Sequence, residues 1–288
     1  MEELIPGTVV TLRVDRDAPF GYFLTNGEED VLLHNNEIVG EFDQDEEHTV
    51  FLFQDHQGRL AASMKIPTVQ IGKYDWAEVV EVKHELGAFV NIGINKDLLV
   101  SKDDLHELWD LWPQPGDRLY VSLKTDKNGR IFGKLATEDV IRSISKPASR
   151  KNFNKNIKGT VYRLLLAGSF IISEEGFIGF IHESQRKREP RLGETVQGRI
   201  IDVKEDGSVN VSLLGRGHEV MGEDSERIYA YMESRGGAMP YWDKSSSEDI
   251  SLRFNMSKAG FKRALGKLMK EGKVYQEDGW TYFKKENI

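Results

Sequence analysis

The chain has 288 residues, with 39 Lys/Arg against 47 Asp/Glu, no cysteine, 39% hydrophobic and 30% charged residues. That balance belongs to a folded chain, and the lack of cysteine excludes a disulfide scaffold, a thiol nucleophile and Cys-ligated zinc or iron–sulfur sites. Apolar runs such as Leu164-Leu165-Leu166-Ala167 are far shorter than the roughly 20 residues that span a bilayer, and Met1-Glu2-Glu3 opens no signal peptide. A soluble cytoplasmic protein without a membrane partner is expected.

The charge is uneven. Residues 1–66 hold 4 Lys/Arg and 14 Asp/Glu, residues 148–220 hold 12 and 9, and residues 221–288 hold 12 and 11. A polyanion is therefore repelled least by the C-terminal half.

In chain order, Gly7-Thr8-Val9-Val10 opens a first strand, Phe20-Gly21-Tyr22-Phe23-Leu24 a second and Val31-Leu32-Leu33-His34 a third. Thr49-Val50-Phe51-Leu52-Phe53 and a tight turn at Gln57-Gly58 close the unit. The pattern returns with Leu86-Gly87-Ala88-Phe89-Val90, Leu98-Leu99-Val100-Ser101 and a turn at Asn128-Gly129, and again with Ala167-Gly168-Ser169-Phe170-Ile171, Gly179-Phe180-Ile181-His182 and Asp206-Gly207. The repeated glycines Gly21, Gly87 and Gly168 are 66 and 81 residues apart. An Asx-Gly pair between alternating apolar runs is a hairpin signal, because such a turn needs positive φ. Five short strands in about 65 residues make a small closed barrel of the OB type.

Residues 137–156, rich in Ser, Lys, Asn and Pro, read as a linker with a short helix from Thr137 to Ile144. From Ser225 the period becomes helical: Ile228, Tyr231 and Met232 share a face, Ser246 or Ser247 caps a second helix, and Ser257 caps a third that stops at Gly272. That third helix sets Phe261, Ala264, Leu265, Leu268 and Met269 on one stripe, with Lys258, Lys262, Arg263, Lys267 and Lys270 around the remainder. A hairpin turning at Asp278-Gly279 follows, so the segment describes a winged helix. In that fold the third helix and the wing make the usual nucleic-acid contacts, which selects Lys258, Lys262 and Arg263.

The three repeats resemble S1 RNA-binding domains. The resemblance rests on the Gly-led first strand, the "FGAFV"-like second strand, Gly179-Phe180-Ile181-His182-Glu183-Ser184 in the third copy, and the Pro115-Gly116-Asp117 and Leu192-Gly193-Glu194 turns. Ser101 stands where a histidine is expected, and Leu86 replaces the first aromatic. With the winged helix, and with Met256-Ser257-Lys258-Ala259-Gly260-Phe261-Lys262-Arg263-Ala264-Leu265-Gly266, the whole order is similar to the conserved virulence factor B family of bacterial RNA-binding regulators. The expected fold is mainly β: S1/OB-type five-stranded barrels at 1–66, 67–136 and 157–216, a linker at 137–156, and an α+β winged helix at 224–288.

The resemblance implies binding of single-stranded RNA, with aromatic rings stacking bases and cations meeting phosphates. Carried over by position, the stacking candidates are Phe20, Phe23 and His34, then Phe89, then Phe170 and His182. Phe20 and Phe23 have opposite strand parity, so only one faces outward unless a bulge at Gly21 intervenes. The first barrel is both aromatic and strongly acidic, so either its acids lie on the far side or it binds no RNA. Phosphate contacts are expected from Arg163, Arg199 and Lys204 and from the Arg186-Lys187-Arg188 cluster with Arg191. No phosphate loop, dinucleotide fingerprint, zinc helix or nucleophile–His–acid set is complete, so no cofactor, metal or catalytic residue is expected. A protein-interaction scaffold using the winged helix or the acidic first barrel, and a DNA-binding regulator, stay open beside the RNA reading.

Overall fold

The computed structural model describes residues 3–55, 57–215 and 217–284, with the side chains of residues 217–220 left aside. The outermost positions of the expected ranges (1–2, 216 and 285–288) thus lie outside the described residues. The chain forms two compact units, Met1–Leu213 and Leu214–Ile288.

The first unit contains three closed five-stranded barrels with one cyclic strand order. The first is built from β1 (Val9–Ala18), β2 (Gly21–Thr25), β3 (Asp30–His34), β4 (Glu47–Gln54) and β5 (Leu60–Ser63). The second uses β6 (Asp75–Lys83), β7 (Gly87–Asn91), β8 (Leu98–Ser101), β9 (Arg118–Thr125) and β10 (Ile131–Leu135). The third uses β11 (Asn156–Leu165), β12 (Gly168–Ser173), β13 (Ile178–His182), β14 (Thr195–Val203) and β15 (Val209–Ser212). A parallel pairing of third and fifth strands closes each, at Leu32↔Ala61, Val100↔Gly133 and Gly179↔Val209. Closure leaves no long free edge.

Alternation decides what lies inside. Leu24, Leu33 and Leu52 fill the first barrel, Val90, Val100 and Val121 the second, and Ile171, Ile181 and Val211 the third. Phe51 and Phe53 of the first barrel and Leu192 of the third join the second core, so the barrels are packed together and are not beads on a string. Each long first strand has a register shift, between Val14 and Arg16, Val79 and Glu81, and Val161 and Arg163. A bulge there bends the strand, so that one strand pairs with both its neighbours around the barrel. These bulges lie on the first strands, with a further shift on β14 between Ile200 and Asp202, and none lies at Gly21.

The hairpin turns divide into two kinds. At Gly129 and Gly207 only the glycine has positive φ (72° and 80°), and Gly58 has φ of 78°; Gly129 N–H donates to the Asp126 carbonyl while Asp126 N–H donates to that of Arg130. These are three-residue loops ending in a left-handed glycine. Asp278-Gly279, with φ of 49° and 85°, is the turn in which both residues are left-handed.

The segment 137–156 is not a loose tether. It holds α1 (Glu138–Ile144), as expected after Thr137, and the Ile141 side chain is fully buried with Ile172 and Ile178. Tyr162 Oη donates to a Glu138 oxygen at 3.1 Å. The apolar residue among polar neighbours is what ties the segment to the third barrel.

The second unit contains α2 (Gly217–Glu233), β16 (Ala238–Met239), α3 (Ser247–Phe254), α4 (Lys258–Lys270), β17 (Val274–Glu277) and β18 (Trp280–Phe283). Ser246 and Ser257 cap α3 and α4 by accepting from Asp249 and Gly260 N–H. Helix α2 starts eight residues before Ser225, and β16 adds a third strand in the order β16-β18-β17. Phe261, Ala264, Leu265 and Leu268 are buried as the stripe requires, whereas Met269, at its margin, is 44% exposed.

Candidate nucleic-acid interface

Successive side chains of a strand point to opposite sides, so the core residues Leu24, Val90 and Ile171 leave Phe23, Phe89 and Phe170 on the outer face. Each carries a cation: Arg16 lies 4.2 Å from the Phe23 ring centre, Lys83 5.2 Å from Phe89 and Arg163 5.9 Å from Phe170. The bulge sets this register, since Arg16 pairs across from Phe23 and Arg163 from Phe170. In the second barrel Glu81 takes the paired position, and Lys83 reaches the ring from two residues on.

The glycine before each ring is required by space. A Cβ on Gly21, Gly87 or Gly168 would lie 2.1, 2.0 or 2.3 Å from the carbonyl oxygen of Leu33, Val100 or Ile181. That close approach brings the third strand against the second. Gly21, Gly87 and Gly168 then face His34, Ser101 and His182.

Those three residues share a task. His34 Nδ1 accepts from Asn36 N–H, Ser101 Oγ from Asp103 N–H and His182 Nδ1 from Ser184 N–H, each capping a short 3-10 turn. The serine in the second copy is thus a like-for-like cap, which loses the ring. Phe20 lies ahead of β2, 48% exposed, and its ring stacks on His34 at 6.2 Å and 17°. Strand parity therefore does not separate it from Phe23.

In the third barrel two phenylalanines face each other across β12 and β13. Phe170 packs 4.9 Å from Phe180, its cross-strand partner, and Phe180 lies 6.3 Å from His182. Lys204 Nζ stands 5.9 Å from the Phe180 ring and has no ion-pair partner among the described residues. The other cations are held: Arg16 by Asp15 and by Asp30 at 2.8 Å, Lys83 by Glu81 at 3.0 Å, Arg163 by Glu138 at 3.3 Å. Acids of the first barrel therefore sit on the aromatic side itself. Phe180 did not stand out as a site residue in the sequence, although its place two residues before His182 puts both on one face.

Arg199 is elsewhere. It lies on β14, which neighbours β15 and β11 but neither β12 nor β13, and its guanidinium donates to Asn154 Oδ1 at 3.1 Å. The Arg186–Arg191 loop is also partly committed, with Arg186 on Ser169 and Glu189. Arg188 and Arg191 converge on Glu194, and Arg191 reaches Asp117 of the second barrel at 3.2 Å. Burial would push the Glu194 carboxyl up, but hydrogen bonds from Arg188 and from Arg191 N–H hold it below the usual range.

In the second unit Lys262 and Arg263 are exposed on α4 and Lys258 is half-buried, and none has an acidic partner among the described residues. The outer face of the wing adds Tyr275 and Trp280, 41% and 42% exposed, on either side of Tyr282. Among the described residues no group of three His, Asp or Glu is placed to hold a metal, and no helix is long and apolar enough to cross a membrane.

Tandem five-stranded barrels with aromatic outer faces, followed by a winged helix, define a class of nucleic-acid-binding proteins. The chain belongs to the conserved virulence factor B family. Residues 6–65 match the S1 domain, 74–134 the "CvfB first S1-like domain", 141–215 "Virulence regulatory factor CvfB, second domain" and 226–283 the "CvfB-like winged helix domain". Conserved virulence factor B of Staphylococcus epidermidis RP62A is 40% identical over 255 residues, 88% of this chain and 85% of that protein. The uncharacterized protein YitL of Bacillus subtilis is 53% identical over 284 residues, 99% and 95% of the two chains. A crystal structure of a multidomain protein with nucleic acid binding domains from Streptococcus pneumoniae TIGR4 shares 36% identity, covers 96% of this chain and 98% of its own, and superposes with a TM-score of 0.68.

Proposed function

We propose that this protein is a non-catalytic cytoplasmic regulator that binds single-stranded RNA, with the outer faces of the barrels stacking bases and α4 with the wing adding phosphate contacts. The observation that carries this reading is the phenylalanine on the second strand of all three barrels, each with a cation over its ring. Half-buried rings on an outer face beside cations suit unstacked bases and their phosphates irrespective of sequence, at about 1–3 kcal/mol per stacked base. The third barrel is the main platform, since Phe170 and Phe180 face each other there beside His182, with Lys204 close to the Phe180 ring.

A second reading has one observation behind it. The first barrel holds Arg16 between two carboxylates within a segment of 14 acidic residues, a surface suited to a basic protein partner.

Fluorescence anisotropy with labelled single-stranded RNA and matched duplex DNA, at two salt concentrations, tests the proposal. Micromolar or tighter RNA binding that weakens with salt supports it. Preference for the duplex moves the reading to a DNA-binding regulator, and binding to neither leaves the protein-scaffold reading.

A further inference from the structure

Between the second and third barrels runs a groove of about 760 Å³, walled by Val80 to Val82 of β6, by Trp109 to Pro115, and by Arg188, Glu189 and Arg191. Trp109 and Trp112 are its two aromatic lining residues. Trp109 is 43% exposed and is backed by Trp112 at 4.7 Å and His84 at 4.8 Å, while Trp112 itself is buried and donates its indole N–H to the His106 carbonyl. The exposed indole is thus held in place. The two barrels are fixed around it by Leu192 N–H on the Leu111 carbonyl at 3.0 Å and by the Arg191–Asp117 pair.

We propose that this groove is a nucleobase-stacking subsite centred on Trp109, which carries a single RNA strand from the platform of the second barrel to that of the third. This rests on the single-stranded RNA reading and adds to it a site outside the β2/β3-type faces. Two continuities assign the occupant. Glu81 in the groove wall is the cross-strand partner of Phe89, so the groove borders the second platform. The loop that supplies Arg188 and Arg191 begins directly after His182, so it also borders the third.

The charges select base over phosphate. Glu81 is held by Lys83 and Glu189 by Arg186, both at 3.0 Å, and Arg188 and Arg191 are occupied by Glu194 and Asp117. Asp110 is a wall carboxylate with no cationic partner among the described residues. Such walls turn phosphates outward and leave the indole to an uncharged ring. The groove should therefore add affinity without adding salt dependence, unlike the cation-bearing faces.

The test compares oligouridine of 5 and 16 nucleotides, the short form able to occupy one barrel and the long form able to bridge two. Trp109→Ala is expected to weaken the 16-mer about fivefold to a hundredfold while leaving the 5-mer and the salt slope unchanged. Trp109→Phe, which keeps a ring in the aromatic cluster, is expected to retain most of the 16-mer affinity. Photocrosslinking of a 5-iodouridine-substituted 16-mer to the unaltered protein should label the peptide containing Trp109. If both Trp109 variants bind the 16-mer like the unaltered protein while Phe170→Leu weakens it, the subsite is overturned and the RNA reading stands. If the unaltered protein binds neither length, both fall. If a proline-rich peptide binds the unaltered protein and loses that binding in Trp109→Ala, while RNA affinity does not move, the groove belongs to a protein ligand and the proposal is likewise overturned.

Discussion

His182 does two things that one substitution can separate. Its Nδ1 caps the turn after β13, and its ring lies beside Phe180. The second barrel already shows that a serine hydroxyl makes the same cap at Ser101. His182→Ser is therefore expected to change stability by no more than about 0.5 kcal/mol, measured by urea unfolding, and to lower RNA affinity by the stacking share of the ring. A stability loss well beyond that would show that the ring packs more than it caps. Gly168 allows no such latitude. With a Cβ 2.3 Å from the Ile181 carbonyl oxygen, Gly168→Ala must push β12 from β13, and a loss of roughly 1–3 kcal/mol or more is expected in thermal or urea unfolding.

Between elements, the most informative contact is the ionic junction of Arg188, Arg191, Glu194 and Asp117, which joins the second and third barrels. The Glu194 side chain is 12% exposed, and its folded-state carboxyl titrates below the unfolded value. Its contribution is thus full above the unfolded carboxylate pKa of about 4.3 and is lost as pH falls through the lower folded value. Glu194→Gln is expected to cost about 1–3 kcal/mol at pH 7, with the gap to the unaltered protein closing on acidification below about pH 4. Urea unfolding at pH 7 and pH 3.5 checks it, and a gap that widens in acid would refute the assignment.

Element boundaries were legible in the sequence where a periodic core coincided with a cap or a turn. Ser257 and Gly272 marked α4, and the Ser246–Ser247 pair the start of α3, because side-chain caps and left-handed glycines act locally. The start of α2 was not legible, since Gly217 and Gly222 are poor helix formers and obscure its period. The packing of residues 137–156 rests on one buried isoleucine, Ile141, whose meaning depends on a barrel distant in sequence. For the same reason Trp109 gave no signal. It lies outside the strand repeats, and only the approach of the third barrel makes its surroundings a groove. The outward placement of Phe23, Phe89 and Phe170 was legible, because they recur at one position of the second strand next to a core residue, whereas Phe20, ahead of β2, was not placed by strand parity.

At the scale of the whole molecule, charge and platform size run in the same direction. The acidic segment 1–66 carries the barrel whose ring-side cation, Arg16, is doubly neutralised, and the basic segment 148–220 carries the barrel with two facing phenylalanines. Replacing the third platform should therefore matter more than replacing the first. Phe170→Leu, which keeps apolar packing against the Ile141 cluster, is expected to lower RNA affinity at least fivefold, or about 1 kcal/mol. Phe23→Leu is expected to lower it by less than Phe170→Leu does, and anisotropy titrations of the two variants side by side decide the ranking.

The inequality of the three outer faces has a further consequence. Three identical platforms in a row would present a bound strand with a ladder of equivalent rungs, free to slip by one barrel at no cost. Here the rungs differ: Phe23 with Leu32 and His34, Phe89 with Leu99 and Ser101, Phe170 with Phe180 and His182. On the proposed RNA reading, a strand moved along by one unit would exchange a strong rung for a weak one, which disfavours slippage. A polymer seated in the favoured alignment would, on the same reading, have a fixed phase, even when no base is read for its identity.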